Sequence, residues 1–179
     1  MGELLRRRAM MRQEKSENWQ PITSKALTTW SRASRVTVSG DSILFSPNSL
    51  DWNFTLQMNG LKYKWGQVKD KKFRIIMDFT ISGINGTSAR FSPTVALFNT
   101  TNPSTSTTRY GYFDLSWGTG TVVSPFGENG THHFEYEGPF KTMSGTVNDN
   151  YYVGIKFYAY TGSGSTVLLS NVVAEILDE

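Results

Sequence analysis

The chain has 179 residues, 13% of them aromatic and 18% charged, with no cysteine and a formal net charge of +3. That length suits one domain with a sizeable core plus an appendage. The lack of cysteine excludes disulfides and Cys-ligated metals, and no run approaches the roughly 18 apolar residues of a membrane span.

All of the net charge sits at the start. Arg6, Arg7, Arg8, Arg12 and Lys15 face Glu3 and Glu14, and behind them 13 cations balance 13 acids. Residues 3–15 are rich in Leu, Arg, Ala, Met, Glu and Gln and free of Gly and Pro, which predicts a helix. Leu4, Arg8 and Met11 share one face, with Leu5 and Ala9 beside it. At about four turns such a helix is marginal in water by itself. Residues 1–18 therefore read as an anchor arm for a partner protein. Leu4, Leu5, Met10 and Met11 would bury, and Arg6, Arg7 and Arg8 would pair with acidic groups. The basic run lacks the apolar segment of a signal peptide, so the expected location is the cytosol of the producing cell, or a particle assembled there.

Residues 19–34 are expected to be a connector. Pro21 stops a helix, and Trp19, Ile22, Leu27 and Trp30 are too apolar for a free linker. From residue 35 the period becomes two, the mark of strands. Arg35–Val38 and Asp41–Phe45 form a predicted hairpin around Ser39-Gly40. Trp52–Met58 places Trp52, Phe54, Leu56 and Met58 on one face, and Asn59-Gly60 predicts a turn with Leu61–Trp65 returning. Phe73–Ile81 points Phe73, Ile75, Met77, Phe79 and Ile81 one way, and Arg74, Asp78 and Thr80 the other. Pro93–Phe98, Arg109–Trp117, Thr121–Val123 and His132–Tyr136 follow. Tyr151–Tyr160 sends Val153, Ile155, Phe157 and Ala159 inward. Thr166–Leu177 closes the chain, with Ser170-Asn171 as a bulge. Some ten short strands with frequent turns and long connections imply an all-β fold, a jelly-roll β-sandwich over residues 35–179 with a short N-terminal α-helical anchor.

Three clusters bear on chemistry. His133, Glu135 and Glu137 alternate onto one face of a strand, but two carboxylates at i and i+2 do not make a glycosidase pair by themselves. Adjacent His132 and His133 point oppositely and cannot share a metal. With no nucleophile elbow and no phosphate loop, the chain reads as non-enzymatic, with no metal and no cofactor. Lys62, Lys64, Lys69, Lys71, Lys72 and Arg74 crowd together. On a neutral body they would attract phosphate poorly, so a hairpin edge guarded against aggregation is expected, and nucleic acid is not an expected partner. Finally, five Trp, eight Tyr and eleven Phe exceed the needs of one small core. Tyr110 and Tyr112 share a face, Trp117 follows, and Tyr158 and Tyr160 lie on the non-core side of their strand. Such rings would stack on sugars or cover another subunit.

Two resemblances attach to these residues. Val167-Leu-Leu-Ser-Asn-Val-Val-Ala-Glu-Ile176 resembles the closing strand of carbohydrate-binding-module jelly rolls, which implies glycan binding; Tyr110, Tyr112, Trp117, Tyr158 and Tyr160, read from the strand faces, are the candidate residues for it. Leu4-Leu-Arg-Arg-Arg-Ala-Met-Met11 is similar to the N-termini of virion-associated proteins of tailed phages. This implies a fibre, tail or decoration subunit located in the virion, anchored to other virion proteins by its arm. It also implies a homo-oligomer, a trimer, that projects a β domain toward host-surface glycans or stabilises the particle. The alternative is a free-standing carbohydrate-binding module.

Overall fold

A computed structural model describes residues 17–23, 31–32, 34–51, 55–104 and 106–178. The expected anchor helix with Leu4, Leu5, Arg6, Arg7, Arg8, Met10 and Met11, the connector residues Leu27 and Trp30, and Trp52 and Phe54 lie outside the described residues.

The period-two segments become strands of two facing antiparallel sheets. In chain order the strands are β1 (Trp19–Pro21), β2 (Ser31–Arg32), β3 (Val36–Ser39), β4 (Ser42–Phe45), β5 (Thr55–Gln57), β6 (Lys72–Ser82), β7 (Arg90–Phe98), β8 (Tyr112–Asp114), β9 (Trp117–Gly118), β10 (Thr121–Val122), β11 (Gly130–Pro139), β12 (Tyr152–Tyr160) and β13 (Thr166–Leu177). The first sheet runs β11-β6-β13-β4-β3, with β1 also pairing β13. The second runs β2-β5-β12-β7-β8, and β9 and β10 form a separate hairpin.

The alternation of β6 decides the packing. Phe73, Ile75, Met77, Phe79 and Ile81 are at most 1% exposed. At roughly 1.5–3 kcal/mol for each fully buried side chain, that stripe is a large share of what holds the first sheet against the second, together with Ile43, Phe45, Val167 and Leu169. Across the gap Phe79 meets Phe91 at 5.2 Å, and Phe91 stacks on Phe157 at 5.6 Å, so rings from both sheets interlock. On β13 the register shifts between Ser170 and Val173, and Asn171 sits at φ +52°, which is the expected bulge. The β3–β4 hairpin closes around Gly40 at φ +57°.

Three local expectations are corrected. Leu61–Trp65 does not return as a hairpin strand, although Gly60 does turn at φ +70°. Its backbone is satisfied elsewhere: Leu61 N donates to Thr101 O and Lys62 N to Ile22 O. Trp65 then opens a single helical turn, Trp65–Val68. Arg109–Trp117 is also not one strand. Asp114 ends β8 by accepting from Ser116 N at 2.8 Å, and this side-chain bond competes with the ladder. The connector is partly sheet: Trp19 pairs Leu177 in register, and Ile22 is fully buried. Trp19 and Ile22 are apolar because they complete the sandwich.

Candidate functional site

The outward face of the second sheet is unusual for its burial. On β12 the core takes Val153, Ile155, Phe157 and Ala159, so Lys156 and Tyr158 must point out. Yet both are under 8% exposed, as are Thr55, Gln57, Arg90, Ser92 and Thr94 on neighbouring strands. Register aligns Gln57, Lys156, Thr94 and Asp114 in one row across four strands, and Thr55, Tyr158 and Ser92 in the next. Buried polar rows on a sheet face are the mark of a recess rather than of a solvated back.

The recess opens as a cleft of about 300 Å³ lined by Arg90, Arg109, Tyr112, Asp114, Trp117 and Tyr158. Asp114 is its anchor. One carboxylate oxygen accepts from Ser116 N at 2.8 Å and Ser116 Oγ at 2.6 Å, the other from Ser92 Oγ at 2.9 Å, with Arg90 Nη2 3.5 Å away. Arg90 is held in turn: Nε donates to Ser116 Oγ at 3.1 Å and Nη1 to Ser88 O at 3.0 Å. Its guanidinium lies 4.2 Å from the Trp117 ring, which is 39% exposed. These contacts fix the indole as one wall of the cleft.

Opposite, the Arg109 guanidinium lies 3.6 Å over Tyr112 and 5.5 Å from Tyr158, and Lys156 Nζ is 4.9 Å from the Tyr158 ring. Burial pushes the Tyr158 hydroxyl up to about 12, against the opposing pull of Arg109. Burial, joined by the charge of Arg109, lowers Lys156 to about 8.

The cleft thus gathers three of the five expected aromatics, Tyr112, Trp117 and Tyr158. Tyr110 is not among its walls and stacks instead on Tyr151 at 4.5 Å. Tyr160 pairs with Arg90 in register at the strand end, outside the lining. Sequence reasoning missed Arg90, Arg109 and Asp114. The outward parity of Arg90 on β7 was a usable signal, but the predicted strand began at Pro93 and left it out.

The other clusters do not converge on a cleft. Glu135 and Glu137 are exposed on β11, and His133 Nδ1 is 2.6 Å from Asp78 Oδ1. Asn171 Nδ2 also donates to Asp78, at 2.6 Å, and these bonds hold its carboxyl below the usual range. The lysine cluster is not a hairpin edge. Lys69 pairs with Asp149 at 3.2 Å, Lys71 with Asp178 at 2.6 Å, and Arg74 with Glu175 at 2.5 Å. Among the described residues no group of three or more His, Asp or Glu is placed to hold a metal, and no helix is long and apolar enough to cross a membrane.

No protein-family model matches the chain, and no curated protein matches its sequence. Solved structures do match its fold. A CBM4 structure is 11% identical with a TM-score of 0.50, covering 83% of this chain and 95% of that one. The N-terminal cellulose-binding domain of Cellulomonas fimi β-1,4-glucanase C is 14% identical with a TM-score of 0.49, covering 89% and 99%. A family 29 carbohydrate-binding module complexed with mannohexaose is 10% identical with a TM-score of 0.44, covering 89% and 92%. At 11% identity the CBM4 match shows a shared β-sandwich fold and nothing finer.

Proposed function

We infer that the protein is a non-catalytic glycan-binding β-sandwich of jelly-roll type, and that its ligand lies in the cleft on the second sheet. The observation that carries this reading is the cleft itself, whose described lining residues are three aromatic rings, two guanidiniums and one carboxylate. A ring wall offers C–H/π contact to a sugar face, while guanidinium N–H groups donate to hydroxyls and ring oxygens. Trp117 is the exposed ring, and Arg90 on one face holds it in place, so little entropy is lost when a sugar docks. The CBM4 fold match agrees with this use of the scaffold.

The test is binding of the full chain to a glycan array, followed by calorimetry on each hit. Trp117→Ala and Tyr112→Ala should each weaken binding by at least about tenfold, the equivalent of about 1.4 kcal/mol. Binding that survives both changes would place the ligand elsewhere, and an array without a hit would overturn the reading.

A second reading rests on the charge partition, in which residues 1–15 hold the whole net charge. Those residues tether the sandwich to another protein, and a virion subunit that assembles as a trimer is the setting their resemblance implies. The comparisons lend no support to that setting. Molar mass in solution tests the tether, with the full chain measured beside a chain lacking residues 1–15. An oligomer that collapses to monomer on truncation supports it, and equal masses with no partner captured by the arm remove it.

A further inference from the structure

We propose that the cleft selects acidic glycans, by pairing the carboxylate of a uronic-acid unit with Arg109 and, behind it, Lys156. This rests on the glycan reading above and narrows it to a ligand class.

The charges on this face do not balance. Among the described residues, Arg90, Arg109 and Lys156 face a single carboxylate, Asp114. Asp114 is already engaged by Ser92, both donors of Ser116, and Arg90. Arg90 is likewise engaged by Ser88, Ser116, Asp114 and the Trp117 ring. The two remaining cations have no carboxylate partner among the described residues.

Arg109 is the better placed of the two. Its guanidinium lies 3.6 Å over Tyr112. A guanidinium laid on a ring keeps its N–H groups directed outward in its own plane, where they meet a carboxylate as a bidentate fork. Stacking also fixes the side chain, so the fork is pre-organised. Lys156 is a buried cation within 5 Å of the Tyr158 ring. Its cross-strand neighbour Gln57 is fully buried, and neither side-chain polar atom of that amide has a hydrogen-bond partner among the described residues. A desolvated cation without an anion is destabilising by itself. A neutral sugar leaves that penalty in place, whereas an arriving carboxylate relieves it. Burial first and the charge of Arg109 second lower the Lys156 pKa; Arg109 and the Tyr158 ring face it directly, and Tyr112 and Asp114 lie beyond them around Tyr158.

Calorimetry at pH 7 of the full chain with a short oligogalacturonate, its methyl ester and a neutral cello-oligosaccharide tests the proposal. The acid should bind at least about tenfold tighter than the ester, as charge-assisted pairing requires. Arg109→Gln should erase that preference, bringing acid and ester to the same affinity with the melting temperature in place, and Arg109→Lys should restore part of it. At pH 8, binding of the acid should take up a fraction of a proton, and Lys156→Met should abolish that uptake. Equal affinity for acid and ester, or a preference that survives Arg109→Gln, overturns the proposal. If the neutral and esterified sugars bind and Trp117→Ala removes them, the glycan reading stands and only the acidic selectivity falls. If no sugar binds, both fall.

Discussion

Lys156 gives a direct measure of how far the second sheet's outer face is withdrawn from water. Its pKa falls from 10.5 to about 8, chiefly through burial and secondarily through Arg109. A lysine whose folded pKa lies below its unfolded value binds fewer protons when folded, so it lowers stability. The penalty is complete below about pH 8 and fades as the pH climbs from there toward 10.5. At about 1.4 kcal/mol per pKa unit, the shift corresponds to roughly 3 kcal/mol at pH 7. Lys156→Met keeps the length and apolar stem of the side chain and removes the charge. It forfeits the cation–π contact with Tyr158, worth about 1 kcal/mol or somewhat more. The net expectation is a gain of about 2 kcal/mol at pH 7, read as a rise of about 1 M in the urea midpoint for a slope of 1–3 kcal/mol/M. Urea titrations of both proteins at half-unit steps from pH 6.5 to 10 provide the assay. The gap between mutant and wild type should be widest below pH 8 and shrink above it. A gap that does not change with pH, or a mutant less stable at every pH, would refute the claim that this amine is held in a desolvated recess.

Two further outcomes follow from local geometry. Asn171 at φ +52° donates to Asp78, and with His133 it lowers that carboxyl's pKa. Asp78 therefore contributes stability above the ordinary carboxylate pKa, and the contribution is lost as pH falls through its lowered folded value. Asn171→Gly keeps the left-handed backbone and removes the donor, so a carbon-13 NMR titration should show the Asp78 pKa rising toward its ordinary value; an unchanged titration would mean the bond has no influence. Gly145 sits at φ +85°, and an added Cβ would come within 2.6 Å of the Tyr110 carbonyl oxygen. Gly145→Ala should destabilise the protein by at least about 2 kcal/mol in urea. It should also weaken the proposed glycan binding, because Tyr112 N bonds Ser144 O next door at 2.9 Å; wild-type stability in this variant would contradict the close approach.

Chain periodicity made the core strands readable before any coordinates. Phe73–Ile81, Tyr151–Tyr160 and the bulged Thr166–Leu177, as read from the sequence, each lie within a residue of the observed bounds. Side-chain alternation is a local property of extended backbone, so it is written in order along the chain. Where backbone bonds were taken by distant partners, the reading failed. Asn59-Gly60 signalled a hairpin, but Leu61 and Lys62 bond instead to Thr101 and Ile22. Asp114 interrupted what looked like a continuous strand from Arg109 to Trp117.

The residues by themselves determined an all-β body, its inward-facing rows, the concentration of net charge in residues 1–15, and a surplus of aromatic rings. Only the tertiary structure decided which rings share a cleft. Tyr112, Trp117 and Tyr158 meet there, and Tyr110 does not, because β8, β7 and β12 pair side by side while Tyr110 turns onto Tyr151. The same pairing seats Arg90, Arg109 and Asp114 among the rings. Strand alternation fixes which side of a sheet a residue faces, whereas the order and register of strands far apart in sequence fix its neighbours, and that choice is made by the packed sandwich as a whole.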